Sequence, residues 1–392
     1  MIGAGHGVHV VGLDVGTSRV VALVAGVAGD RLDVFGLGTA DSEGLRRGSV
    51  THLDAAAAAI RRAVAEAELT AGLAIHGVHL GMSGAHVSAV NSRGVVTTAG
   101  RAIDRADVVR AVTAATPLTL SGGREILHVV PQHFKVDERD EISDPCGMTG
   151  TRLEANVHVI AGHASSARDL AACASRAGLA PFDVVVSQLA VAESVLTADE
   201  KELGVAVVDI GAGMTGMALY ERGVPWHTAA IDLGGDHLTA DVAIGLRTPT
   251  RDAERLKCRS GCALTPLVDA MEEIVVPSLG DRPPRMLPRR VLATILQARS
   301  EELLRGIARE IAAAGFEQRL TAGVVLCGGG ALLPGFTELA ELSLGTTVRC
   351  AAPDVGGLGD HVASPSFAAA VGLARYASRF RFPSICALLP SR

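Results

Sequence analysis

Two hairpins with an aspartate at the turn, set about half a chain apart, constrain this sequence more than any other feature. Val8 to Gly16 (VHVVGLDVG) reads as a buried strand closed by a glycine turn, and Arg19 to Val27 (RVVALVAGV) as its return. Leu203 to Gly223 (LGVAVVDIGAGMTGMALYERG) repeats the order of apolar strand, Asp-aliphatic-Gly turn and apolar strand. A duplication of this kind predicts two lobes whose equivalent hairpins, carrying Asp14 and Asp209, face a common cleft. The composition agrees. Aromatics are 3% of the 392 residues, so Ala, Val, Leu and Gly must supply a core of small side chains and closely approaching backbones, as parallel α/β sheets need. Length favours more than one compact unit.

The chemistry lies in the turns. Asp14-Val15-Gly16-Thr17-Ser18-Arg19 puts a carboxylate, a bare backbone and two hydroxyls in one bend. Glycine lets backbone N–H groups approach a phosphate oxygen, hydroxyls donate to it, and a carboxylate can hold a hydrated Mg²⁺. Alone, such a turn is an ordinary strand connection. Asp209-Ile210-Gly211-Ala212-Gly213-Met214-Thr215 repeats it, and a third turn, Gly328-Gly329-Gly330, follows the strand Ala322 to Cys327. Three glycines there let an adenine or ribose lie against backbone. Together the three turns predict a nucleotide site.

Elsewhere, Asp54 is expected to cap an Ala-rich helix (DAAAAAIRRAVAEAEL), and Gly84 to His163 reads as an inserted subdomain. Within it, Asp104 caps a helix through Ala115, Gly122 to Val136 is strand-like, and Val136 to Gly150 is an acidic loop. A helix from about Asp236 to Ile244, a basic Pro-rich connector (Pro277 to Arg290) and a long helix through Ile311 form a second subdomain. Net charge of −6 gives no overall attraction for nucleic acid or anionic lipid. Seven scattered cysteines without a secretory leader lead us to expect a reduced cytoplasm. Cys258 and Cys262 are expected on one helix face with no metal role. The longest apolar run, Val20 to Gly29, is too short to cross a bilayer as a helix.

The three turns resemble the phosphate-1, phosphate-2 and adenosine motifs of the superfamily of actin, sugar kinases and heat-shock chaperones. More narrowly, the chain resembles the bacterial FtsA cell-division family over nearly its whole length. The segments that carry the match are VVGLDVGTSRVVALV, GLRRGSV (Gly44 to Val50), ILHVVPQHFKVD (Ile126 to Asp137) and SVLTADEKELGVAVVDIGAGMT (Ser194 to Thr215). To these are added GGDHLTADVAIGL (Gly234 to Leu246), DAERLKCRSGCA (Asp252 to Ala263) and GVVLCGGGALLPG (Gly323 to Gly335).

The resemblance implies an α/β, actin-like fold, duplicated in the ribonuclease-H manner, with two lobes, a nucleotide cleft and an FtsA-type insertion. Residues 1–83, 164–204 and 365–392 would form lobe one and 84–163 the insertion. Residues 205–240 with 311–364 would form lobe two, and 241–310 its smaller subdomain. ATP and Mg²⁺ are the implied ligands, with Asp14 and Asp209 positioning the metal through water. Gly16, Thr17, Ser18, Arg19, Gly211, Gly213, Met214 and Thr215 would cradle the phosphates. Gly234 and Gly235 would join the site, Glu254 and Lys257 would flank ribose and base, and Gly328, Gly329 and Gly330 would line the adenine.

Three departures from the family pattern bear on function. Arg19 stands where lysine is commoner. Ser187 stands where related hydrolases carry a Glu or Gln that orients water, with Gln188 turned away along the helix and Glu193 packed at its end. Slow hydrolysis at most is expected, with no catalytic residue named and nucleotide acting as a conformational and assembly ligand. Last, the expected linker and amphipathic membrane helix give way to SRFRFPSICALLPSR, whose Arg379, Phe380, Arg381, Phe382, Leu388 and Leu389 mix basic and apolar groups between prolines.

The implied role is a scaffold at the cytoplasmic face of the inner membrane at the division site. It would link the FtsZ ring to the membrane, recruit later divisome proteins and self-associate into actin-like filaments. The FtsZ C-terminal tail would dock on residues 241–310, where Arg282, Arg285, Arg289 and Arg290 could pair with an acidic peptide. Two alternatives share the fold: a PilM-like adaptor of type IV pilus assembly and a sugar-kinase-type phosphotransferase.

Overall fold

The computed structural model describes residues 9–379 except 30, 118, 119 and 121. The chain opens with β1 (His9–Val15), β2 (Arg19–Ala28) and β3 (Arg31–Asp41), then a short hairpin of β4 (Leu45–Arg46) and β5 (Ser49–Val50). Helix α1 (Leu53–Ala71) and β6 (Gly77–Met82) follow. The insertion holds β7 (Ser88–Thr97), α2 (Arg105–Ala115), β8 (Arg124–Val136), β9 (Arg139–Ile142) and β10 (Arg152–His163). The chain returns through α3 (Ala164–Arg176), β11 (Ala180–Val186), α4 (Ser187–Val195) and α5 (Ala198–Leu203).

The second half begins with β12 (Val205–Ile210), β13 (Thr215–Glu221), β14 (Val224–Ile231), α6 (Gly235–Leu246) and α7 (Thr250–Ser260). It continues with β15 (Glu273–Val276), β16 (Arg285–Pro288), α8 (Arg289–Ala313), β17 (Val324–Cys327) and α9 (Phe336–Leu344). It ends with β18 (Val348–Cys350), β19 (Gly356–Gly357), α10 (Gly359–Val362) and α11 (Ala368–Arg379).

The duplication is visible in the sheets. One runs β11-β6-β1-β2-β3-β19 and the other β18-β17-β12-β13-β14. In each, an antiparallel meander of three strands is extended on its first strand by parallel strands, and the aspartate is the last residue but one of that first strand. Asp14 pairs in register with Val21 and Asp209 with Gly216. Small residues let the layers close. An added Cβ at Gly38 of β3 would lie 1.9 Å from the Ala63 carbonyl of α1, so glycine there sets the helix–sheet distance. Lobe one has a core on each sheet face, one under α1 and α3 and one under α11. The insertion has its own core of α2 against β8 and β10, and α4 packs on α11 between the lobes.

Several local expectations change. His52 caps α1, its Nδ1 accepting from Ala55 N at 3.2 Å; Leu53 packs toward the lobe core and takes the first helical position, leaving Asp54 to pair with Arg176 at 2.6 Å. The acidic loop contains β9, and the basic connector contains β16, which pairs with β15. Helix α7 ends at Ser260, so Cys258 is exposed while Cys262 lies buried beyond the helix. The boundary at 364 lies too late, because β19 already pairs with β3 and Val362 packs in the lobe-one core. The boundary at 310 also moves: Leu292 and Leu296 of α8 join the smaller subdomain, whereas Leu303, Leu304 and Ile307 pack in the lobe-two core. Among the described residues no helix is long and apolar enough to cross a membrane.

Candidate binding cleft

A cavity of about 980 Å³ opens between the lobes, bordered by all three predicted turns. The first two have the same local geometry: Gly16 N donates to Arg19 O at 3.0 Å, and Gly211 N donates to Met214 O at 2.9 Å. An added Cβ would come within 2.8 Å of the first acceptor and 2.9 Å of the second, so each bend needs glycine. The turns nearly touch across the cleft. A Cβ on Gly213 would lie 2.7 Å from Thr17 Oγ1, and Arg47 of the β4–β5 turn pairs with Asp232 after β14 at 2.9 Å.

Asp14 and Asp209 stand at the cleft floor. Burial pushes the Asp14 carboxyl up to about 6, partly opposed by Arg19, and burial together with the Asp14 charge pushes Asp209 up to about 7. Two facing carboxylates raised by desolvation are a place where a cation would lower both. Around them Gly16, Thr17, Ser18, Arg19, Gly211, Gly213 and Met214 line the cavity. Thr215 does not; it is buried, and its hydroxyl donates to Leu233 O at 2.8 Å. Gly234 also stays behind the wall, where an added Cβ would meet Ala212 O at 2.5 Å, while Gly235 reaches the cavity at the start of α6.

Opposite, Glu254 and Lys257 share one face of α7 and pair at 2.7 Å. Lys257 Nζ also donates to Gly235 O at 3.0 Å and to Thr239 Oγ1 at 2.8 Å. Burial works against the Glu254 charge, yet hydrogen bonds from Lys257 and Thr239 hold its carboxyl below the usual range. Sequence reading missed Thr239, although its position four residues after Gly235 on the same helix was the available signal. Gly328 adopts φ +81°, with Asp209 Oδ1 2.3 Å from where its Cβ would stand, whereas a Cβ on Gly329 would enter open space. The third turn therefore presents bare backbone to the cavity.

Ser187 begins α4 at the cavity wall, and its Oγ is buried with no hydrogen-bond partner among the described residues. Gln188 turns toward lobe two, where its Nε2 donates to Ala229 O at 3.3 Å. Glu193 ion-pairs with Lys201 and Arg379. Arg19 lines the cavity, and its guanidinium is held by the segment that borders it. Its Nη2 donates to Ser366 O at 3.2 Å and its guanidinium lies 4.5 Å from the Phe367 ring centre.

The four arginines predicted for a partner are mostly engaged. Arg285 donates to Leu246 O, Arg289 to Ser260 O at 2.7 Å and to Glu272 at 2.8 Å, and Arg290 to Val268 O at 3.1 Å. Arg282 is exposed and makes no hydrogen bond or ion pair among the described residues.

Comparison with known proteins gives this geometry a family. The model of "Cell division protein FtsA" matches residues 206–372, and that of "SHS2 domain inserted in FTSA" matches 84–161. Cell division protein FtsA of Pseudomonas aeruginosa is 42% identical over 372 residues, covering 94% of this chain and 89% of its own. The chain belongs to the FtsA family. FtsA proteins of Escherichia coli K12, at 38% identity, and Bacillus subtilis, at 36%, also match 94% of it, covering 90% and 83% of their own lengths.

Solved structures agree on an actin-like fold for this chain. The chain is similar to one from the PilM-PilN type IV pilus biogenesis complex, with TM-score 0.66 and 18% identity over 94% of this chain and 98% of that one. It is also similar to MreB5 of Spiroplasma citri bound to ADP, with TM-score 0.56 and 13% identity over 95% and 97%. Likeness at these identities concerns the fold. Actin-like ATPase folds generally bind nucleotide with Mg²⁺, and the donor set fits: two raised carboxylates, two glycine turns of which the first adds the Thr17 and Ser18 hydroxyls, and an unobstructed backbone at Gly329.

Proposed function

We propose that this chain is an ATP- and Mg²⁺-binding division scaffold. The observation that carries the reading is the pair of equivalent aspartate turns facing each other across one cavity, with both carboxyls raised. Asp14 and Asp209 would hold Mg²⁺ through water, which would neutralise phosphate charge at the cleft floor. Thr17, Ser18 and the backbone of Gly16, Gly211, Gly213 and Met214 would orient the phosphates. Lys257 and Glu254 would border the ribose, and Gly328 to Gly330 the base. Thr215 and Gly234 would act by shaping the second turn.

Hydrolysis in this reading is slow. The Ser187 hydroxyl is too short to fix an attacking water against a phosphate as a carboxamide could, and Gln188 is committed to Ala229. Nucleotide therefore serves conformation and assembly.

The FtsZ C-terminal tail would dock on the smaller subdomain. With three arginines engaged, its acidic residues would meet Arg282, and its apolar ones the face of the β15–β16 hairpin, where Val275 and Met286 pair in register, both about half exposed. The scaffold would self-associate into filaments, recruit later division proteins and work at the cytoplasmic face of the inner membrane. The basic and apolar mixture of residues 380–392 lies outside the described residues, and vesicle sedimentation tests its lipid contact.

The test is titration of the full chain with a fluorescent ATP analogue, with Mg²⁺ or with chelator, followed by anisotropy with an FtsZ-tail peptide. Magnesium-dependent binding abolished by Asp209→Asn, and peptide binding weakened by Arg282→Glu, are expected. An unaffected Asp209→Asn titration would refute the site, and absence of peptide binding would refute the partner.

A further inference from the structure

The segment Pro365 to Phe367 is held from two sides of the cleft. Gly328 N of the third turn donates to Pro365 O at 2.9 Å. From the first turn, Arg19 donates to Ser366 O at 3.2 Å and stacks over Phe367. The next residue, Ala368, begins α11. The far end of α11 is fixed separately: Arg375 donates to Glu193 O at 3.2 Å, and Arg379 pairs with the Glu193 carboxylate. Ser194 Oγ also donates to Ala368 O at 2.7 Å, so what Arg19 adds is the hold on Ser366 and Phe367 just before α11; its own backbone is pinned by the turn bond to Gly16 and by register with Asp41, leaving the side chain as the movable part.

Arg19 is the only cation in the stretch Asp14 to Arg19. Its bound partners are a neutral carbonyl and a ring face, and its charge lies close enough to Asp14 to oppose in part the rise that burial gives that carboxyl. Charge-assisted, forked hydrogen bonds to phosphate oxygens are stronger than a single bond to a carbonyl, and a guanidinium suits that geometry. We propose that Arg19 is a two-position latch: without polyphosphate it clasps Ser366 and Phe367, and with polyphosphate in the cleft it transfers to the phosphates and frees the segment Ser366–Phe367 that leads into α11. The inference rests on the nucleotide reading above and adds to it the route by which occupancy leaves the cleft. Lysine, with one compact ammonium, would bind phosphate without clasping the ring in the same way.

Hydrogen exchange on the full chain tests this, with Mg-ATP, with adenosine and with neither. Mg-ATP is expected to slow exchange in the turns at 14–19 and 209–215 while speeding amides 366–371 about threefold; adenosine, lacking phosphates, leaves 366–371 unchanged. In Phe367→Leu, which lies off the cavity wall, these amides exchange at the faster rate from the start and Mg-ATP adds nothing, while nucleotide affinity stays within about twofold. Arg19→Lys behaves as Phe367→Leu in exchange. Slowed turns with unchanged 366–371 in the wild type, release by adenosine equal to that by ATP, or wild-type exchange in Phe367→Leu would each overturn the latch and leave the nucleotide site standing. No slowing at either turn would overturn both.

Discussion

Asp14 and Asp209 make stability depend on pH in a direction opposite to most carboxylates. Their folded values of about 6 and about 7 lie above the ordinary 3.8, so the folded state holds protons more tightly than the unfolded one. The stability this gives is complete below about pH 4 and is lost as pH rises through the folded values. Without Mg²⁺ or nucleotide, the urea midpoint should fall between about pH 5 and pH 7.5, with Mg-ATP reducing the slope. Asp209→Asn should raise the neutral-pH midpoint, flatten the profile and lose Mg-dependent binding; an unchanged profile would contradict the assignment. Two neighbouring glycines separate fold from binding. Gly328→Ala forces an L residue to φ +81° and a Cβ onto Asp209 Oδ1, and should cost about 2–4 kcal/mol. Gly329→Ala, pointing into open space, should leave the denaturation midpoint unchanged and weaken ATP binding, as calorimetry would reveal.

At the scale of elements, α4 and α11 form the seam between lobes. A Cβ on Gly372 would lie 2.0 Å from Ala190 O, so the two helices meet backbone to backbone. Their polar end is Glu193, which pairs with Lys201 at 2.6 Å, both mostly buried. Glu193→Ala strands that ammonium and should cost about 3–5 kcal/mol by urea denaturation, whereas Asp54→Ala, whose pair with Arg176 is exposed, should cost under about 1 kcal/mol.

The hairpins around Asp14 and Asp209 were legible because valine-rich strands and glycine turns announce themselves locally. The two-residue β19 was not, since Gly356 and Gly357 have no side-chain pattern and pair only once β3 is present. The split of α8 between two cores was hidden as well, because one continuous apolar stripe serves both. Arg19 could be placed in the turn, but its clasp on Ser366 joins residues 347 apart in sequence. Most of Arg285, Arg289 and Arg290 looked available for the same reason: their acceptors are distant carbonyls.

Across the whole molecule, the insertion touches both lobes through buried histidines. His128 Nε2 accepts from Val186 N at 3.0 Å in lobe one, while His158 meets Asn91 Oδ1 at 2.7 Å and Thr228 Oγ1 of lobe two at 2.9 Å. Burial pushes them down to about 4 and about 3, so both stay neutral in the physiological range and serve as fixed hydrogen-bond partners. The Arg47–Asp232 pair bridges the lobes on the other side. Both side chains are half exposed, so Arg47→Ala should shift stability by less than about 1 kcal/mol. Its effect should instead appear as faster release of bound nucleotide in stopped-flow chase; an unchanged release rate would show that the pair does not hold the lobes together.

Lobe one, finally, is completed out of order. Its first three strands precede everything else described, yet one face of that sheet, with Val10, Val21, Leu23 and Val34, is covered by Val371 and Ala374 of α11, the last element described. During synthesis the insertion and lobe two emerge whole while this face waits uncovered. A chain interrupted before α11 would carry an open apolar sheet, and cellular proteases would meet it as an unfinished product even though most of its domains had folded.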